Sequence, residues 1–63
     1  MHRNRPKFIW GQTVRVKDNA PEIARRDSVA WVCGVDIHAE EIVYLVEFID
    51  GEASQISEVF LDS

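Results

Sequence analysis

No lysine or arginine occurs after Arg26. All seven basic residues precede Asp27 and nine of the eleven acids lie at or beyond it, within a net charge of −4. An acidic balance of that kind opposes nucleic-acid binding, which calls for a basic face with rings free to stack. One cysteine, Cys33, leaves no internal disulfide and no set of metal-binding thiols. The two histidines, His2 and His38, are far apart in the chain and lack supporting ligands, so no metal and no cofactor are expected. Long apolar runs are missing too. The longest, from Val29 to Val35, falls far short of the ~20 residues of a membrane span. No apolar signal core follows the charged start Met1–Lys7, so a reducing cytoplasm is the expected compartment.

What is present is strand signal. With 63 residues there is room for one domain, and a domain of this size hides only about 60 % of the surface its unfolded chain exposes. Such a core rarely gives more than roughly 3–5 kcal/mol, and with no disulfide or metal the remaining support is self-association. Residues 1–7 read as a basic flexible tail and residues 8–63 as the domain. Val14 and Val16 alternate with Thr13, Arg15 and Lys17, which predicts a half-buried first strand. Residues 18–27 lack any period of two and predict a long ordered loop, with one helical turn after Pro21 pinned by Ile23. Val29–Ile37 predicts a second strand, apolar on both faces as if covered twice, bent at Gly34. Ile42–Ile49 predicts a third strand, and Asp50-Gly51 a tight turn into a fourth at Glu52–Ile56. Ser57-Glu58-Val59 reads as a 3₁₀ turn before a short closing strand at Phe60-Leu61. The whole describes an all-β, five-stranded SH3-like barrel with a long first loop and a 3₁₀ turn before the last strand.

The order Gly11-x-x-Val14-Arg15-Val16, Ala20-Pro21, Val32-x-Gly34, Tyr44-x-Val46-Glu47-Phe48-x-Asp50-Gly51 and Ile56…Leu61 resembles small SH3-like barrels of bacteria over residues 8–61. It is similar to the barrel domain of nitrile hydratase β subunits, to photosystem and thioredoxin-reductase accessory barrels, and to a group of short bacterial proteins. The nitrile hydratase likeness implies a role for the first loop, where Pro21 and Arg25 or Arg26 stand in place of a Pro-Gly-His-x-Arg run whose arginine reaches a partner subunit's metal. Here Glu22, Ile23 and Ala24 replace its Gly and His. Ser54-Gln55-Ile56-Ser57 half resembles the Val-Gln-Ile-Tyr pore stretch of type II dihydrofolate reductases. That resemblance implies a tetrameric pore enzyme lined by Lys17, Gln55 and Ile56.

The residues themselves favour a non-catalytic protein-interaction or accessory module. In a barrel of this kind the first loop and nearby aromatics border a groove, and Trp, Tyr and Arg dominate binding hot spots. Trp10, Arg25, Arg26, Trp31 and Tyr44 are therefore the expected binding residues, with at least one tryptophan in the core. Cys33 reads as a small buried hydrophobe and Glu47 as outward-facing. The expected partner is a protein or a second copy of the chain. The opposed charge runs become either cross-strand pairs or two surface patches that steer a partner.

Overall fold

Valine, isoleucine and aromatic side chains concentrate in residues 13–16, 29–37 and 41–48, and there the backbone is extended. The computed structural model describes residues 5–21, 25–38 and 41–63. Its strands are β1 (Thr13–Val16), β2 (Val29–His38), β3 (Glu41–Phe48), β4 (Ala53–Ser57) and β5 (Leu61–Asp62), with a 3₁₀ turn at Glu58–Phe60 before the last. They form one antiparallel sheet in the order β4-β3-β2-β1-β5. The five strands and the 3₁₀ turn are as the sequence predicts, each shifted by a residue or two. Among the described residues β4 and β5 are not paired with each other, so the hydrogen-bonded ladder stays open at its ends.

The curled sheet keeps its core on one face. Val14 and Val16 from β1, Ala30 and Val32 from β2, Tyr44, Val46 and Phe48 from β3, Ile56 from β4 and Leu61 from β5 are all buried, together with Phe8 and Ala20. Thr13 and Arg15 point outward, as their alternation requires. The reading of β2 as covered on both faces is corrected: Val29 and Trp31 are exposed while Ala30 and Val32 are buried. The physical reason is that the described residues supply one sheet and no second layer, so the apolar character of the outer positions is not spent on burial.

Two connections set the geometry. Between β2 and β3 the register slips from Val32↔Val46 to Gly34↔Leu45, which makes Cys33 the extra residue of a bulge. The expected bend at Gly34 is thus displaced by one. Between β3 and β4 the Phe48 carbonyl accepts from the Gly51 N–H at 2.9 Å, and the Phe48 N–H donates to the Glu52 carbonyl at 2.8 Å. This is a three-residue loop, Ile49-Asp50-Gly51, rather than the two-residue turn that Asp-Gly suggests. Gly51 takes the positive φ of 90° that ends such loops.

The long first loop is anchored at both of its described ends. Ala20 is buried, its carbonyl accepts from Arg26 Nε at 2.6 Å, and the Asp27 N–H donates to the Val16 carbonyl at 2.8 Å. The expected helical turn over Glu22–Ala24, with Ile23 as its pin, lies outside the described residues. At the other end of the domain, the Lys7 and Phe8 amides donate to the Tyr44 hydroxyl at 2.8 and 3.1 Å. Lys7 is thus tied to the sheet, and the tail expected over residues 1–7 is fixed at least at its last residue.

Candidate functional site

Strand parity builds the site. Residues two apart on a strand share a face, so Val29 and Trp31 on β2 stand together on the outer side, and Trp31 lies opposite Glu47 on β3. Just beyond the end of β3, Ile49 opens the turn and is 89 % exposed. From the other side comes the returning first loop, where Arg25 adopts φ 61° and Asp27 φ 65°. Together Arg25, Ser28, Val29, Trp31, Phe48 and Ile49 line a shallow, mainly apolar groove of about 220 Å³.

Arg25 is the organised wall of that groove. Its guanidinium sits 4.4 Å from the centre of the Phe48 ring, close enough for attraction between cation and ring face. It also grips Asp50 with a fork of two bonds, Nη1 to Oδ1 at 3.2 Å and Nη2 to Oδ2 at 3.1 Å. Asp50 in turn accepts the Glu52 N–H at 3.1 Å. Hydrogen bonding from Arg25, then from the Glu52 amide, holds the Asp50 carboxyl below the usual carboxylate value, and the same pair raises Arg25 above its own. A left-handed backbone costs a residue that carries a Cβ about 1–2 kcal/mol. The ring and the carboxylate supply the contacts that hold Arg25 there.

The two tryptophans flank the bulge. Trp31 donates its indole N–H to Glu47 Oε1 at 3.0 Å, and Cys33 Sγ lies 3.9 Å from the same oxygen. Trp10 donates its indole N–H to the Cys33 carbonyl at 2.8 Å. Both rings are thereby fixed at their polar tips while their apolar faces stay in solvent, Trp10 at 75 % and Trp31 at 37 % exposure. The expectation that one tryptophan fills the core is corrected. Phe8, Tyr44 and Phe48 occupy the aromatic places inside, with Phe8 and Tyr44 edge to face at 5.4 Å.

Of the residues singled out from the sequence, the structure brings Arg25 and Trp31 together in the groove. Trp10 is exposed beside the bulge, and Arg26 turns back to cap the Ala20 carbonyl instead of meeting the groove. Tyr44 is fully buried, where its hydroxyl donates to Glu58 Oε2 at 2.7 Å, so it is a structural residue and not part of a surface. Cys33, expected to be buried, is half-buried at the bulge, and Glu47 is outward-facing as read. Gln55 is exposed and Ile56 is buried in the core, on opposite faces of β4, so the two do not line a common wall. Lys17 follows β1 near Asp18, Asp27 and Asp62, and two strands, β2 and β3, separate β1 from β4 in the sheet.

Sequence reasoning passed over Val29, Ile49 and Asp50. Val29 was legible as the residue two before Trp31. From the sequence Ile49 ends the third strand, because a β-branched residue ahead of Asp-Gly reads as strand rather than as the first residue of a longer turn. Among the described residues no cluster of metal-ligating side chains forms, and no helix is long and apolar enough to cross a membrane. Comparison with protein-family models, with curated proteins and with solved structures finds no match to this chain.

Proposed function

We propose that this chain is a non-catalytic protein-interaction module built as an SH3-like barrel, and that it binds an apolar side chain of a partner protein in the groove between Trp31 and Arg25. One observation carries the reading: an apolar groove whose tryptophan is held by its N–H and whose arginine is held by two anchors, both ahead of any partner. Side chains fixed in advance lose little freedom on binding, which is what makes an aromatic or arginine anchor effective. Arg25, which lines this groove, has a positive φ of 61°. Strain of that kind concentrates where a surface is shaped for use. The strand order, with β5 beside β1 and a 3₁₀ turn leading into it, supports the SH3-like assignment.

A protein partner is favoured over nucleic acid because nine acids fill the second part of the chain and the arginine of the groove is already neutralised by Asp50. The test is a displayed random-peptide selection on the intact chain, counter-selected with a folded Trp31→Ala variant. Peptides that bind the native chain and shift the amide signals of Val29, Trp31 and Ile49 are expected. A selection that yields only peptides indifferent to Trp31→Ala would remove the groove from consideration.

A further inference from the structure

β2 outruns the strand beside it. β1 pairs with it only as far as Thr13↔Trp31, after which Gln12 and Gly11 bond Val32 and the Trp10 indole takes the Cys33 carbonyl. From Gly34 to His38 that edge of β2 meets no strand among the described residues, while its other edge stays paired with β3 as far as His38↔Glu41. The bulge decides which backbone groups face the open side. Val32 directs both its N–H and its C=O toward Gly11 and Gln12, and alternate residues of an antiparallel strand point to the same edge. The extra residue at Cys33 shifts that alternation by one, so Val35 and Ile37 present theirs outward. Their side chains are also uncovered, at 41 % and 49 % exposure.

A strand edge with unpaired N–H and C=O groups is a template for another strand. We infer that its occupant is the same edge of a second copy, running antiparallel about a two-fold axis through Ile37. The alternatives fail on the residues present. A pairing centred on Asp36 would set two carboxylates against each other, and the backbone groups of Asp36 already face β3. A pairing centred on Val35 would drive the second copy against Val32 and Cys33, which Gly11, Gln12 and the Trp10 indole already cover. Centring on Ile37 sets Asp36 opposite His38 of the second copy, twice over, and brings the two isoleucines together on the other face. A carboxylate facing an imidazole can accept its N–H, whereas like charges directly across a strand pair weaken it. Asp36 and His38 are already neighbours within one chain, His38 Nε2 to Asp36 Oδ2 at 2.9 Å. The pairing therefore gathers two carboxylates and two imidazoles into one alternating cluster and makes a continuous sheet through both copies.

So short a strand pair covers far less than the ~1,600 Å² of a standard interface, so the dimer is weak and concentration-dependent. Light scattering of the intact chain should show mass rising from monomer toward dimer with concentration, and Ile37→Lys should remain monomeric while keeping its far-ultraviolet spectrum. If Ile37→Lys fails to fold, Asp36→Lys serves instead, since it places a cation opposite His38. The register has its own test in a Cys33→Ser background. Hydrogen-bonded antiparallel partners have Cα atoms about 5.5 Å apart, within disulfide range. Ile37→Cys should therefore cross-link to dimer under mild oxidation, and Val35→Cys should not. A native chain that stays monomeric at its highest soluble concentration overturns the proposal. So does a dimer that survives both lysine variants, or equal cross-linking at the two cysteine positions.

Discussion

Tyr44 and Trp31 lie on adjacent strands, each a large ring with one polar tip, and the sheet puts them to opposite uses. Tyr44 is completely buried, with its hydroxyl accepting from the Lys7 and Phe8 amides and donating to Glu58. Trp31 has its polar tip equally satisfied, by Glu47, yet keeps 37 % of its surface in solvent. Composition does not separate them; parity does. Tyr44 is an even step from Val46 and Phe48, which face the core, whereas Trp31 is one step out of phase with Ala30 and Val32. The inner face therefore holds stability and the outer face is left with a groove.

The comparison can be broken first from the inside. Phe48→Ala should cost about 3–5 kcal/mol, which is as much as a core of this size supplies. It also removes the ring beneath Arg25, so denaturant unfolding should find the variant largely unfolded, and a cooperative transition near that of the native chain would refute the account. Tyr44→Phe keeps the ring and removes the hydroxyl, leaving the Phe8 amide without its partner while the Lys7 amide still donates to Glu58 Oε2 at 2.8 Å, at about 1–3 kcal/mol. Alkaline unfolding sharpens the point. Burial raises the Tyr44 phenol above its ordinary 10.0. Because the folded value is the higher one, the contribution is complete below the ordinary value and is lost as pH rises from there through the folded value. Tyr44→Phe should flatten that alkaline loss.

Changes on the outer face should behave differently. Trp31→Ala is expected to cost about 1 kcal/mol, the ordinary size for a single substitution, while abolishing peptide binding, as read by paired thermal melts and titrations. The smallest effect is on acidification. Asp50 is held below its ordinary value by Arg25, so what it adds is present above that value and lost as pH falls through the folded one. Both side chains are exposed, so the loss should be slight in overall stability and visible in the amide signals of Arg25 and Phe48. An acid titration that moves distant core signals first would contradict it.

The sequence carried most of the inner face and little of the outer. Val14, Val16, Val46 and Phe48 announce buried positions by alternating with Arg15 and Glu47, whereas Tyr44, expected at a binding surface, lies in the apolar run Ile42–Val46 where no polar residue marks the phase; the 3₁₀ turn before the last strand was legible from its polar residues. Closure of the sheet was not, because whether two end strands meet depends on curl accumulated over the whole sheet. The groove was half legible: Arg25 and Trp31 could be named, but their meeting depends on a loop whose path is fixed by Asp50, a residue that reads locally as turn chemistry alone. The charge imbalance finds part of its explanation here, since Arg25 meets Asp50 and Arg15 stands opposite Asp62.

That last pairing has a bearing on how the chain assembles. β2, β3 and β4 join through short connections, so their contacts are local and quick to form. By contrast Arg15↔Asp62 and Val16↔Leu61 tie one end of the domain to the other, and a contact of such long sequence separation forms only after the chain between has been ordered. Leu61, fully buried yet on a two-residue strand, is therefore expected to close as a latch after the rate-limiting step. Leu61→Ala should accordingly speed unfolding and leave the refolding rate nearly unchanged, whereas Val46→Ala in the central hairpin should slow refolding.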